Sequence, residues 1–85
     1  MIRVLIVDDH KVVRQGLRFL LSSEPGIEVA GEAADGRAAL DAIRELSPDV
    51  AIIDMRLPGL DGMDILNAVR REKRLQLWRG LSGRF

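Results

Sequence analysis

Apolar residues in this chain gather into short runs that end on acids. Ile2 to Val7 is apolar except for Arg3 and stops at Asp8-Asp9, while Val50 to Ile53 is unbroken and stops at Asp54. Short runs of this kind, rich in β-branched residues, read as interior strands of a parallel sheet, buried on both faces. Between them the period changes. Val13, Leu17, Leu20 and Leu21 fall at i, i+4, i+7 and i+8 after Asp9-His10, which predicts an amphipathic helix closed by Glu24-Pro25-Gly26. Gly16 weakens that helix by about 1 kcal/mol relative to Ala without breaking it. Ile27 to Ala33 alternates weakly and reads as a second strand. Asp35 suits the N-cap of a second helix, with Ala39, Ile43 and Leu46 on one face and Ser47-Pro48 as its stop. The third strand, Val50 to Ile53, follows. Leu57-Pro58-Gly59-Leu60-Asp61-Gly62 then forces a loop, and Asp61 suits the cap of a third helix carrying Met63, Ile65, Leu66 and Val69.

The order β-α-β-α-β-α predicts an α/β fold with a parallel sheet. After Val69 the pattern fails. Arg70 to Arg74 holds no apolar residue; Leu77, Leu81 and Phe85 lie at helical spacing beside Trp78, but Gly80 and Gly83 oppose a free-standing helix. Residues 71–85 are therefore set apart from residues 1–70 as a basic, Trp- and Leu-containing tail with no assigned element.

Composition narrows the classes. Eighty-five residues make one small domain, and 47% apolar content is too high for disorder throughout. The absence of cysteine excludes disulfides, thiolate metal sites and a cysteine nucleophile. The opening apolar run is too short and too soon acidic for a signal peptide or membrane span, so the cytoplasm is the expected compartment. The zero net charge hides an asymmetry: residues 1–69 hold 7 Lys/Arg against 12 Asp/Glu, and residues 70–85 hold 6 against 1. A short basic tail is more often solvated than bound to nucleic acid, and no direct nucleic-acid contact is expected.

Crossover handedness turns the element order into a geometry. Right-handed β-α-β connections, with strands 2 and 3 on opposite sides of strand 1, put the two helices on opposite faces. The chain reverses at strand 1, and a crevice opens between strands 1 and 3 at their carboxyl ends, where ligands bind in open α/β sheets. Asp8, Asp9 and Asp54 converge there. Three carboxylates so close repel unless a cation sits among them, and an all-oxygen set suits Mg²⁺ better than Zn²⁺.

The chain resembles the receiver domain of two-component response regulators, particularly those preceding a LuxR-type DNA-binding domain in transcription regulators. The resemblance rests on VLIVDDH at 4–10, GEAADGRAAL at 31–40 and PDVAIIDMRLPGLDG at 48–62, and covers about residues 1–70. It implies a partial flavodoxin-like fold, here a three-stranded parallel sheet in order 2-1-3 with helices on both faces. That order is a documented one for receivers rather than a derivation from these residues. It further implies that Asp54 accepts a phosphoryl group from a histidine kinase. Asp8, Asp9, Asp54 and the backbone carbonyl of Arg56 would hold Mg²⁺, Asp9 directly and Asp8 partly through water. Such a domain assists its own phosphorylation and is not a turnover enzyme. His10 is expected to be a solvated or capping residue, Pro58 and Gly62 turn-makers, and Trp78 a packing anchor.

The resemblance also marks what is missing. A receiver continues with a strand ending in Ser or Thr and another ending in Lys-Pro, and this chain has no Thr and no Lys-Pro pair. It is expected to be truncated after the third βα unit, without switch half or output domain. The far edge of strand 3 and part of the face beside helix 1 would then be bare, forfeiting roughly 5–10 kcal/mol for three or four large apolar side chains at about 1.5–3 each. Exposed strand edges invite another chain, so a homo-oligomer through the strand 3 edge or the helix 1 face is expected. A phosphorylation-independent dimerisation or scaffold module derived from a receiver is the alternative function.

Overall fold

A computed structural model describes residues 1–53 and the backbone of residues 76–79. The elements are β1 (Ile2–Val7), α1 (Lys11–Ser22), β2 (Ile27–Ala33), α2 (Gly36–Leu46), β3 (Val50–Ile53) and β4 (Gln76–Arg79). All pairings are parallel, in the order β2-β1-β3-β4. The first three strands stand in the expected 2-1-3 order. The fourth corrects the expectation of a bare edge: Val50, Ala51, Ile52 and Ile53 stand opposite Gln76, Leu77, Trp78 and Arg79. The periodicity of residues 76–79 is ambiguous in isolation, and only a partner edge selects the extended state. The proposed third helix lies outside the described residues.

The sheet has two apolar faces because strand side chains alternate. Leu5, Val7, Ala51 and Ile53 point one way and close a core with Ala33, Ala39 and Ile43, flanked by Ala38, Ala42 and Leu46 of α2. Val4, Ile6 and Ile52 point the other way, against Leu17 and Leu21 of α1 with Ile27, Val29 and Val50 at the margin. The helices thus lie on opposite faces, as crossover handedness requires. Leu20, placed by periodicity on the α1 core face, is 62% exposed instead.

Irregular backbone appears where it is needed. Gly26 adopts φ 92°, a left-handed turn from α1 into β2 that glycine makes without a Cβ penalty, and its carbonyl accepts from Ile2 N–H at 2.7 Å. Asp35 caps α2 as expected, its carboxylate accepting from Ala38 N–H at 2.8 Å. Ser47 closes α2 in the left-handed region at φ 47°, donating its N–H to Ile43. Arg3, the one polar residue inside β1, donates its guanidinium to the terminal α2 carbonyls of Leu46 and Ser47, a cation at a helix C-terminus. The adjoining backbone is tied as well: Arg3 N–H donates to Asp49 Oδ2 at 2.9 Å, and Asp49 N–H to the Arg3 carbonyl at 2.8 Å.

β2 contains a bulge that explains its weak alternation. Val4 pairs with Val29 but Leu5 with Gly31, so Ala30 is an extra residue. Ile27 and Val29 face α1 before the bulge. After it, Ala33 faces α2 and Glu32, opposite Ile6, faces α1. Gly31 lies under Leu46, whose Cδ1 would come within 2.7 Å of an added Cβ.

Candidate functional site

β1 ends at Val7, and its last backbone positions are held by neighbours on both sides. Val7 stands opposite Ala33 of β2 and Ile53 of β3. The chain continues from Val7 into Asp8 and from Ile53 into Asp54. Asp8 N–H extends the β2 ladder by donating to the Ala33 carbonyl at 3.0 Å. Asp8 is therefore pinned at a strand end, and it is the one buried charged residue among those described, 6% exposed.

Asp8, Asp9 and His10 form the short connection between β1 and α1. Asp8 Oδ1 accepts from His10 N–H at 2.9 Å and lies 2.9 Å from His10 Nδ1. The same Nδ1 lies 3.0 Å from Asp9 Oδ1. One ligand atom from each of the three residues falls within 4.8 Å of the others, a grouping that can hold a metal ion. The donor set fits a hard cation: two carboxylates, one buried and one partly solvated, at a sheet end. Of the two expected roles for His10, solvated or capping, the structure shows the first, its side chain being 63% exposed. His10 occupies the N-cap position of α1, yet its side chain makes no capping bond; its ring lies against both carboxylates.

Arg14, one turn into α1, ties this connection to β2. Its Nη1 donates to the Asp8 carbonyl at 2.7 Å and its Nε to Glu32 Oε1 at 3.0 Å. Arg18 Nε donates to the other Glu32 oxygen at 2.6 Å. The Arg18 bond first, opposed by burial and supplemented by the Arg14 bond and the charge of both arginines, holds the Glu32 carboxyl below its ordinary pKa. Neither arginine nor Glu32 was expected in a structural role near the site. The available signal was two arginines at i and i+4, which repel on one helix face and call for an anion. Which acid supplied it depended on the bulge, a feature periodicity does not show.

Asp8 and Asp9 are thus brought together at the carboxyl end of β1, as expected. Asp54 and Arg56 lie outside the described residues, as do Pro58 and Gly62. Among the described residues no helix is long and apolar enough to cross a membrane.

Comparison with known proteins gives one answer. Residues 4–78 match the family model of the response regulator receiver domain. The chain is 47% identical over 70 residues to the nitrate/nitrite response regulator NarP of Escherichia coli, covering 82% of this chain and 33% of that protein. It is 47% identical over 72 residues to the transcriptional regulator LiaR of Bacillus subtilis, covering 85% and 34%. The solved receiver domain of NarL from Mycobacterium tuberculosis superposes with a TM-score of 0.84 at 43% identity, over 89% of this chain and 62% of that one. The chain thus spans about a third of the length of the curated relatives NarP and LiaR. A parallel sheet with strands in 2-1-3 order, an acidic pair closing the first of them and this extent of identity together make the chain a member of the response regulator receiver family.

Proposed function

We propose that this chain is a phosphoacceptor: Asp54 takes a phosphoryl group from the phosphohistidine of a histidine kinase, with Mg²⁺ held by Asp8, Asp9, Asp54 and the backbone carbonyl of Arg56. The observation that carries this reading is the register of β1 on β3. Val7 opposite Ile53 aligns the strand end that leads into Asp8-Asp9 with the strand end that leads into Asp54. Two carboxylates at the rim, one of them buried, support a hard-cation site beside the nucleophile. In the reaction an Asp54 carboxylate oxygen bonds to phosphorus as the phosphorus–nitrogen bond breaks, and the departing imidazole takes a proton from solvent. Bound Mg²⁺ supplies neutralisation of charge on the equatorial phosphoryl oxygens. The domain assists this single transfer and does not turn over.

We read residues 1–70 as the receiver portion and residues 71–85 as a basic segment that includes β4. The working compartment is the cytoplasm, with neither membrane nor nucleic acid as a direct partner of these residues. Self-association is assigned to the α1 face, where Val12 and Phe19 are 78% and 75% exposed. The β3 edge is not a candidate, because β4 of the same chain pairs with it.

Exposure to acetyl phosphate with Mg²⁺, read by intact mass, tests the chemistry. A single acid-labile phosphoryl adduct is expected, lost on Asp54→Asn and on chelation of the metal. An adduct that survives Asp54→Asn rules out this assignment of the acceptor. Light scattering at micromolar concentration tests self-association, for which a strictly monomeric mass is the contrary result.

A further inference from the structure

We propose that Arg14 is a positioning residue for the acidic connection, holding the Asp8 carbonyl so that the Asp8 and Asp9 carboxylates keep their direction. The inference deepens the Mg²⁺ reading above and rests on it for its functional consequence.

Three observations converge. Arg14 makes the only side-chain bond to the Asp8 carbonyl among the described residues, at 2.7 Å. Its side chain is 17% exposed and its Nε is already bonded to Glu32, so the guanidinium is held from two directions. Glu32 in turn is braced by Arg18 and carried to this face by the bulge at Ala30. The fork geometry matters: Nε and Nη1 serve two acceptors at once, which a single ammonium on a flexible stem does not reproduce. The two peptide groups flanking Asp8 are then each held, the N–H of the first by the Ala33 carbonyl and the C=O of the second by Arg14. Adjacent carboxylates repel, so a loose connection would let them splay apart. Arg18 shares the same acid yet makes no bond to the connection, and so provides an internal control.

The test compares Arg14→Gln with Arg18→Gln, each of which removes one Glu32 partner. Two readouts are used: Mg²⁺ binding by calorimetry, and hydrogen exchange of the His10 amide in metal-free protein, since that amide donates to Asp8 Oδ1. Arg14→Gln is expected to weaken Mg²⁺ binding by about tenfold or more, the scale of lost outer-shell support, and to speed His10 exchange. Arg18→Gln is expected to change binding by less than about twofold and to leave His10 exchange as it is. Arg14→Lys, which keeps charge and volume, should recover part of both losses. Equal effects of the two Gln variants would reduce Arg14 to an ordinary ion pair and overturn the proposal, as would unchanged exchange in Arg14→Gln. If the wild-type chain binds no Mg²⁺, the phosphoacceptor reading fails, while the exchange contrast still decides the role of Arg14.

Discussion

The two faces of the sheet are covered by helices of similar length and different depth. α2, with 11 residues, buries Gly36, Ala39 and Ile43; α1, with 12, buries none completely. Side-chain size explains the contrast. Ala38, Ala39 and Ala42 let α2 lie close to the sheet, and Gly31 clears room for Leu46. α1 meets its face with Leu17 and Leu21 and is otherwise fastened by the Arg14–Glu32–Arg18 bonds, while Val12, Phe19 and Leu20 look outward. Both helices are amphipathic. Amphipathic patterning therefore says which side of a helix is apolar, but not how much of that side the rest of the chain will cover.

The contrast can be broken by substitution, with denaturant unfolding as the measurement. The largest loss is expected from Ile43→Ala, which empties a fully enclosed site on the α2 face and should cost about 2–5 kcal/mol. Leu17→Ala on the α1 face should cost clearly less, about 1–2 kcal/mol, because its pocket is only partly closed and water reaches the truncated site. If the two substitutions cost the same, the faces are equally sealed and the comparison fails.

The ion-pair fastening gives a smaller, pH-dependent effect. The Glu32 carboxyl has a folded-state pKa below its ordinary value of 4.5. Its contribution is present at pH above the unfolded value and is lost as pH falls through the depressed folded value. Because the carboxylate is partly solvated, the contribution at neutral pH should be no more than about 1 kcal/mol and should shrink with salt. Glu32→Gln should flatten that part of the acid-side profile; an unchanged slope below pH 4.5 would remove Glu32 from the account. Least of all should change in Phe19→Ser in dilute protein, within about 0.5 kcal/mol for a side chain exposed in the single chain. At concentrations where chains associate through the α1 face the loss should grow, because Phe19 is then covered by another copy; a loss independent of concentration would remove Phe19 from that contact.

Much of the architecture was legible in the order of residues. The strand limits Ile2–Val7, Ile27–Ala33 and Val50–Ile53 were readable because each is a local run with an acid or glycine against at least one end: Asp8 after the first, Gly26 before the second, Asp49 and Asp54 around the third. The Asp35 cap was readable because its carboxylate needs only an amide three residues away. The acidic pair at the end of β1 was readable for the same reason. Leu20 shows the limit: its spacing fits the core face, but Leu17 and Leu21 occupy the available contact and Leu20 is left outside.

The types of the first five elements, the Asp35 cap and the Asp8-Asp9 pair followed from the chain alone, because each depends on neighbours within a few residues. Tertiary structure alone decided the rest. β4 is a strand only because the edge of β3 offers its backbone a partner. Glu32 faces α1 only because one extra residue in β2 reverses the alternation, and Arg14 reaches the Asp8 carbonyl only because that acid meets it there. Such pairings join positions far apart in sequence, and their energy exists only after the chain has closed the loops between them.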